Sequence, residues 1–193
     1  IVKGGTSGTY SFNVANDSSS ANPISYIKIT APTGFTISDA LVCPTNWAPT
    51  SATTYIECLG YGAPSDSRKI SAGAQATVSF SVTAPGIDST NPWIVLTTDS
   101  AYDDQTSNPV TLVDATPPAT TNSATDSDWH QGSVSVTLSP TDTGGSSVAS
   151  TKYCVGTIDC TPGTDYSGSI IVNTEGLNYV RYFSTDVVGN IET

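Results

Sequence analysis

Val113-Asp114-Ala115-Thr116-Pro117-Pro118 is the stretch that divides this sequence. Before it, short runs of alternating apolar and polar residues close on Gly, Pro or Asn turns. After it, the same pattern restarts with its own aromatic residues and its own cysteine pair. Two consecutive prolines fix φ, remove backbone donors and push the residue before them towards extended geometry. The stretch therefore reads as a short, semi-rigid joint between two β domains, residues 1–113 and 114–193.

Composition narrows the class. A chain of 193 residues suits two domains of roughly 100 residues, the usual size of a β-sandwich. Charged residues make up only 12%, and the chain is rich in Ser, Thr, Gly and Pro, a mixture that favours strands and turns. The net charge of −11, with six Lys and Arg, argues against a nucleic-acid partner and against anionic membrane surfaces. No apolar run is long enough to span a membrane as a helix, and Ile1-Val2-Lys3 has none of the character of a signal peptide, so the chain reads as a mature or excised segment. The four cysteines fall as Cys43 with Cys58 and Cys154 with Cys160. Local pairing is the simplest of the three connectivities they allow. Disulfides in small β domains imply an oxidising, extracellular or cell-surface location.

In the first half, Tyr10, Phe12 and Val14 alternate with polar residues. Ile27, Ile29 and Ala31 follow, then Phe35 and Ile37, then Thr54, Ile56 and Cys58. The excursion from Leu41 to Thr53 is too irregular for a simple hairpin, and Trp47 within it reads as packing over a Cys43–Cys58 bond. Ala76, Val78, Phe80, Val82 and Ala84 give the cleanest alternation in the chain, opposite Thr77, Ser79, Ser81 and Thr83. Trp93 to Thr98 is a denser apolar strand, and Asp99, Asp103 and Asp104 read as a solvated loop. About seven short strands at intervals of 8–12 residues are expected of a sandwich. Asn16-Asp17-Ser18 forms a glycosylation sequon.

The second half carries Trp129-His130-Gln131-Gly132 before an alternating strand Val134, Val136, Leu138. The loop Thr141-Asp142-Thr143-Gly144-Gly145 follows, then Glu175-Gly176-Leu177-Asn178-Tyr179-Val180-Arg181-Tyr182, and the ending Thr185-Asp186-Val187-Val188-Gly189-Asn190. In this order, and with the opening Asp114 to Pro118, these motifs resemble a bacterial and archaeal Ig-like repeat found in tandem in adhesins, stalks and surface layers and as spacers in secreted hydrolases. In the first half, Gly5 to Val14, Ile29 to Thr36 and Ala72 to Phe80 are similar to Ig-like domains of prokaryotic surface proteins. The resemblance implies an all-β chain of two tandem immunoglobulin-like β-sandwich domains. Such repeats usually continue past the Gly-Asn turn into a last strand, so the second domain is expected to lack one. Ile1, Val2, Ile191 and Thr193 then become candidate strand-exchange termini, since an unpaired edge must be covered.

Acidic residues at turns suggest one kind of site. Asp114, Asp142, Asp186 and Asn190, together with Asp126 and Asp128, lie on loops or strand ends and offer the hard oxygens that suit Ca²⁺. The resembling repeats hold Ca²⁺ at their joints, which implies a structural calcium that would fix the angle between the domains. The spacing is that of neither an EF-hand nor a nonapeptide repeat, and Asp or Asn in turns also bonds local backbone. Catalysis is not expected. His130 is the only histidine, and nothing marks a nucleophile to go with it. Tyr26, Tyr55, Tyr61, Tyr102 and Tyr166, or Trp47 and Trp129, are candidates for stacking on glycans. Lys28, Lys69 or Lys152 with an Asn would supply the isopeptide chemistry of some pilins. The expected function is that of an extracellular structural protein: a surface filament or pilus subunit, or a segment of an adhesin or surface layer. Its copies would join head to tail by inter-subunit strand complementation, with other copies of itself as partners. A non-catalytic carbohydrate- or receptor-binding spacer of a secreted enzyme, recognising host or cell-surface glycans, is the alternative.

Overall fold

The computed structural model describes residues 1–60, 68–124 and 129–193, and all its regular structure is β. It divides into two compact units, one of Val2–Val113 and the other of Asp114–Thr193 with Ile1. Among the described residues no helix is long and apolar enough to cross a membrane.

The first unit contains β1 (Val2–Lys3), β2 (Ser7–Ala15), β3 (Ile24–Thr30), β4 (Thr36–Val42), β5 (Ala48–Ser51), β6 (Tyr55–Leu59), β7 (Gln75–Thr83), β8 (Ser89–Pro92), β9 (Ile94–Asp99), β10 (Asp104–Ser107) and β11 (Val110–Asp114). A five-stranded sheet in the order β10-β9-β3-β6-β5 stands with a three-stranded sheet β2-β7-β4 in a sandwich-like arrangement, and β1-β11-β8 form a third sheet. The alternation in β7 decides the layering. Successive side chains point to opposite faces of a strand, and Val78, Phe80 and Val82 are fully buried where Ser79, Ser81 and Thr83 are half-exposed. Ile27, Ile29, Ile56 and Cys58 supply the facing layer. Trp93, 1% exposed, lies just before β9 and meets Phe12, Phe35 and Phe80 at centroid distances of 5.3, 5.4 and 5.9 Å. Its indole N–H donates to Thr111 Oγ1 at 2.9 Å, so the one polar atom of this buried ring is satisfied.

Three strands depart from the sequence reading. The irregular excursion contains β5, which pairs with β6 from Ala48↔Leu59 to Ser51↔Ile56. Pro49 is tolerated there because β5 is the edge of its sheet. The acidic loop expected at Asp99 to Asp104 instead turns into β10, registered on β9, and Ser89–Pro92 forms β8. All three are short, polar edges with no apolar face to betray them. Trp47 is buried in the core that includes Cys58. A Cβ at Gly60 would stand 2.9 Å from its indole, so the ring needs a glycine there.

The second unit contains β12 (Ala119–Asn122), β13 (Val134–Val136), β14 (Leu138–Thr141), β15 (Val148–Gly156), β16 (Thr164–Asp165), β17 (Ile170–Val172) and β18 (Tyr179–Asp186). The sheets are β12-β14, β13-β17 and β16-β15-β18. Around Thr137 one run of chain passes from pairing with β17 to pairing with β12, and so serves two sheets. Its buried apolar core is small: Val136, Leu138 and Ile170, with Val134, Tyr153, Tyr166, Val172, Val180 and Tyr182 packed half-buried around it.

Each unit carries one disulfide, Cys43–Cys58 and Cys154–Cys160, closing separations of 15 and 6 residues. Loop-closure entropy makes the first worth about 3 kcal/mol and the second about 2 kcal/mol. Urea denaturation of the intact chain should therefore show a larger loss for the Cys43→Ser/Cys58→Ser variant than for Cys154→Ser/Cys160→Ser. Equal or reversed losses would contradict the loop-length argument.

Candidate functional site

Acidic residues at the ends of three strands converge, all of them within the Asp114–Thr193 unit. Asp114 is the last residue of β11, Asp142 follows β14 directly, and Asp186 is the last residue of β18. One carboxylate oxygen from each lies within 4.8 Å of the others. Asp114 is 0% exposed, Asp186 2%, and Asp142 is half-buried. Local turns hold them in place. Asp114 accepts from the amides of Thr116 (3.1 Å) and Ser146 (2.9 Å). Asp142 accepts from Gly144 (3.1 Å) and Ser147 (2.8 Å), and Asp186 accepts from Asn190 N (2.8 Å). Asn190 Nδ2 donates to Asp186 Oδ2 at 2.7 Å and to the Asp114 carbonyl at 3.2 Å. Asn190, a candidate ligand in the sequence reading, thus braces the two buried acids through its Nδ2 donor. Gly144 is pressed so closely on Asp114 that a Cβ at Gly144 would collide with Asp114 Oδ1.

These bonds orient three like charges without neutralising them. The ion pairs Lys28–Glu57, Lys152–Asp165 and Arg181–Asp159 engage other acids. Two unit charges no more than 4.8 Å apart repel by at least about 3 kcal/mol at an effective dielectric of 20. Beside them Ser146 is 7% exposed, and its Oγ has no hydrogen-bond partner. Three carboxylates and a hydroxyl are a hard-oxygen donor set, which fits a divalent cation of the calcium type. The calcium expected to fix the angle between the domains would draw on residues that all lie in the second unit. Asp126 and Asp128 are outside the described residues.

A buried polar seam continues from this cluster, and the sequence reading missed it. Ser184 is 0% exposed, and its Oγ lies 2.7 Å from both Thr120 Oγ1 and Thr151 Oγ1. The Glu192 carboxylate accepts from Thr120 N (2.6 Å), Thr120 Oγ1 (2.7 Å) and Ser184 N (2.9 Å). Nothing local in the sequence signals a bond spanning 72 residues.

The second feature is an edge. Among the described residues β18 is the outer strand of its sheet, paired with β15 on one side only. On its other side Ile191 bridges Thr185, and Glu192 N donates to Ser184 O. A groove of about 1160 Å³ is lined by Val134, Val136, Val172, Val180 and Tyr182, with Trp129 at 86% exposure. His130 lines the same groove. Of the other candidate termini, Val2 pairs within its own chain, in β1 on β11, and Ile1 is 56% exposed. Thr193 has no strand assignment.

Other candidates are placed elsewhere. Asn16, the sequon asparagine, is 7% exposed, and its Nδ2 donates to Asn22 O at 3.0 Å and Ile70 O at 2.9 Å. A glycan on that nitrogen is incompatible with the folded chain, which corrects the sequence reading. Tyr26 OH and Lys28 Nζ both donate to Glu57 Oε1 at 2.9 Å. Burial, reinforced by Glu57, pushes the Tyr26 phenol up to about 12, and the Lys28 hydrogen bond holds Glu57 below the usual carboxylate range. Tyr55 lies beneath the Lys28 ammonium at 4.2 Å. Tyr166 packs edge-on to Tyr153 and accepts from Leu138 N. Tyr102 occupies a turn at φ 68°, and Tyr61 lies outside the described residues. Lys28 and Lys152 each meet an acid and not an asparagine.

No protein-family model matches the chain, and no curated protein matches it. Among solved structures it is similar to BcpA, the major pilin subunit of Bacillus cereus, with a TM-score of 0.43 and 9% identity over 96% of this chain and 54% of that one. It is also similar to a DUF4466 family protein from Parabacteroides merdae, with a TM-score of 0.36 and 8% identity over 63% of this chain and 43% of that one. The chain spans about half the length of these structures, and likenesses this distant carry no weight for function.

The seam generates a prediction. Glu192→Ala removes a charged acceptor from three donors, and should cost about 1.5–3 kcal/mol in chemical denaturation. It should also speed hydrogen exchange at the amides of Thr120 and Ser184. Unchanged exchange there would show that the carboxylate does not hold the seam in solution.

Proposed function

We propose that this chain is a non-catalytic structural module of an extracellular protein, part of a cell-surface filament, adhesin or surface layer, which joins other copies by strand addition. The observation that carries this reading is the outer edge of β18 beside a groove whose mixed polar and apolar lining includes Val134, Val136, Val172, Val180 and Tyr182. An edge strand presents unpaired N–H and C=O groups, and pockets for alternate side chains next to it give an added strand its specificity. Val180 and Tyr182 of β18 face that groove. The donor is β1 of another copy. β1 is only two residues long and pairs with β11 alone, so its release gives up that short ladder and the packing of Val2 on the core, and the contact it makes in another copy is head to tail and propagates. One disulfide in each unit supports an oxidising compartment.

Concentrated protein is expected to form fibres or arrays by electron microscopy, with slowed hydrogen exchange along Tyr179 to Phe183. Deleting Ile1-Val2-Lys3 should leave the fold intact and the protein monomeric. A native chain that stays monomeric at every concentration, with its β18 amides exchanging freely, would refute strand addition.

The exposed Trp129 favours a second reading, because the groove it flanks also displays Asn173, Glu175 and Asn178. An aromatic face among amide and carboxylate groups is chemistry that recognises sugars. Saturable glycan binding by the intact chain, lost in Trp129→Ala with assembly unaffected, would establish it. Glycan binding that survives the substitution would exclude this groove.

A further inference from the structure

We infer that the unpaired edge of β2, in the first unit, is a docking site for one extended, uncharged segment of another protein, which pairs with β2 through its main chain. The inference is independent of strand addition at β18.

The contrast between β2 and the other edges of the unit makes the first argument. An edge strand invites pairing with any extended chain, and proteins blunt their edges with brevity, charge, proline or a bulge. β1 has two residues and ends in Lys3, β5 holds Pro49, and β8 ends in Pro92. β10 has four residues and starts at Asp104, and the ladder of β4 on β7 shifts register between Ser38 and Val42. β2 has none of these devices. It runs nine residues with no charge and no proline, and its register on β7 is unbroken from Ser7↔Thr83 to Ala15↔Gln75. Among the described residues β7 is its one partner. A long edge without protection is an edge that a partner covers.

The space beside that edge makes the second argument. A slot of about 600 Å³ runs along Tyr10 to Ala15, a length of about 20 Å for six extended residues. The buried Trp93 and Val95 line it from the core, and Gln105, Ser107 and Val110 line it from β10 and β11. A strand laid along β2 gains a ladder of backbone bonds on one side, with alternate side chains entering the slot. A slot this narrow holds a single extended chain, whereas the edge strand of a folded copy brings a second layer that would meet β10. Tyr10 also lines the slot, and its hydroxyl is shielded from water without a hydrogen-bond partner, a state that buried hydroxyls rarely keep. A segment beside it brings polar groups to that neighbourhood.

Charge selects the segment. No charged side chain is among the residues lining the slot, so an acid or a base entering it would lose water and meet no counter-charge. The net charge of −11 further repels acidic segments. The occupant is therefore uncharged, with an apolar side chain at every second position.

The experiment offers the intact chain capped peptides of about eight residues, long enough to span the slot. In one set Val, Ile or Phe alternates with Thr, and in a matched set Asp or Lys replaces the apolar residues. Calorimetry is expected to show binding of the uncharged set alone, with slowed hydrogen exchange along residues 10–15 and none along Tyr179 to Phe183. N-methylation of alternate peptide nitrogens tests the ladder: methyl groups on the edge facing β2 should abolish binding, and those on the other edge should leave it intact. Val110 is 56% exposed, so Val110→Arg should melt like the native chain. The long charged side chain it places at the slot should weaken binding about tenfold or more. Failure of the uncharged set to bind at millimolar concentration would overturn the inference. So would binding that tolerates N-methylation on either edge, native affinity in Val110→Arg, or protection at β18 in place of β2. Protection of β2 that grows with the concentration of the free chain would assign the edge to a second copy, and would overturn it too.

Discussion

Two carboxylates buried side by side form the constraint on which the second unit depends. Asp114 and Asp186 stand at the ends of strands far apart in sequence, with Asn190 braced against both. Burying an ionised acid is expensive, and burying two together adds their repulsion. A fold that keeps them there must supply hydrogen bonds to orient the oxygens and some means of bearing the charge. The orienting half is visible: a turn after Asp114, a turn after Asp142 and a hairpin from Asp186 to Asn190 each aim backbone amides at a carboxylate. These turns also decide where the chain goes next, so the charges and the topology are one arrangement.

The first unit solves the same stability problem by other means. Its core is an interlocked group of aromatic and branched residues around Trp93, with the polar atom of that ring satisfied by Thr111. There, removal of apolar area from water accounts for cohesion. In the second unit a band of serine, threonine, aspartate, asparagine and glutamate runs where apolar residues would otherwise pack. Such a network specifies one arrangement strongly, because each missing partner leaves a buried group unsatisfied.

Much of this was legible where side chains alternate. The run from Ala76 to Ala84 announces a half-buried strand because its period of two is uninterrupted, and β7 occupies it. The edges β5, β8 and β10 were not legible, since an exposed edge strand has no apolar stripe and Pro49 or Asp104 reads locally as a turn. Asn16 shows the converse failure: a three-residue motif says nothing about burial, and its amide is consumed by the carbonyls of Asn22 and Ile70. The acids of the cluster could be picked out because each sits in a turn phrase of its own. Ser146, Ser184, Thr151 and Glu192 could not, because their meaning lies in partners 32 to 72 residues away.

β18 joins the two features of the unit. Its last residue, Asp186, belongs to the carboxylate cluster, and the turn through Gly189, at φ 89°, returns the chain so that Ile191 meets Thr185 and Glu192 meets Ser184. Side chains on a strand alternate faces, so a slip of one residue in that return would swing Glu192 away from Thr120 and leave three donors unpaired. The cluster and the Glu192 clamp therefore fix the register of whatever lies alongside β18. In the proposed assembly, an incoming strand finds the Thr185 end already occupied and must enter opposite Tyr179 to Phe183, beside the groove. In that assembly the chemistry that holds the hairpin shut would also decide where a second copy pairs.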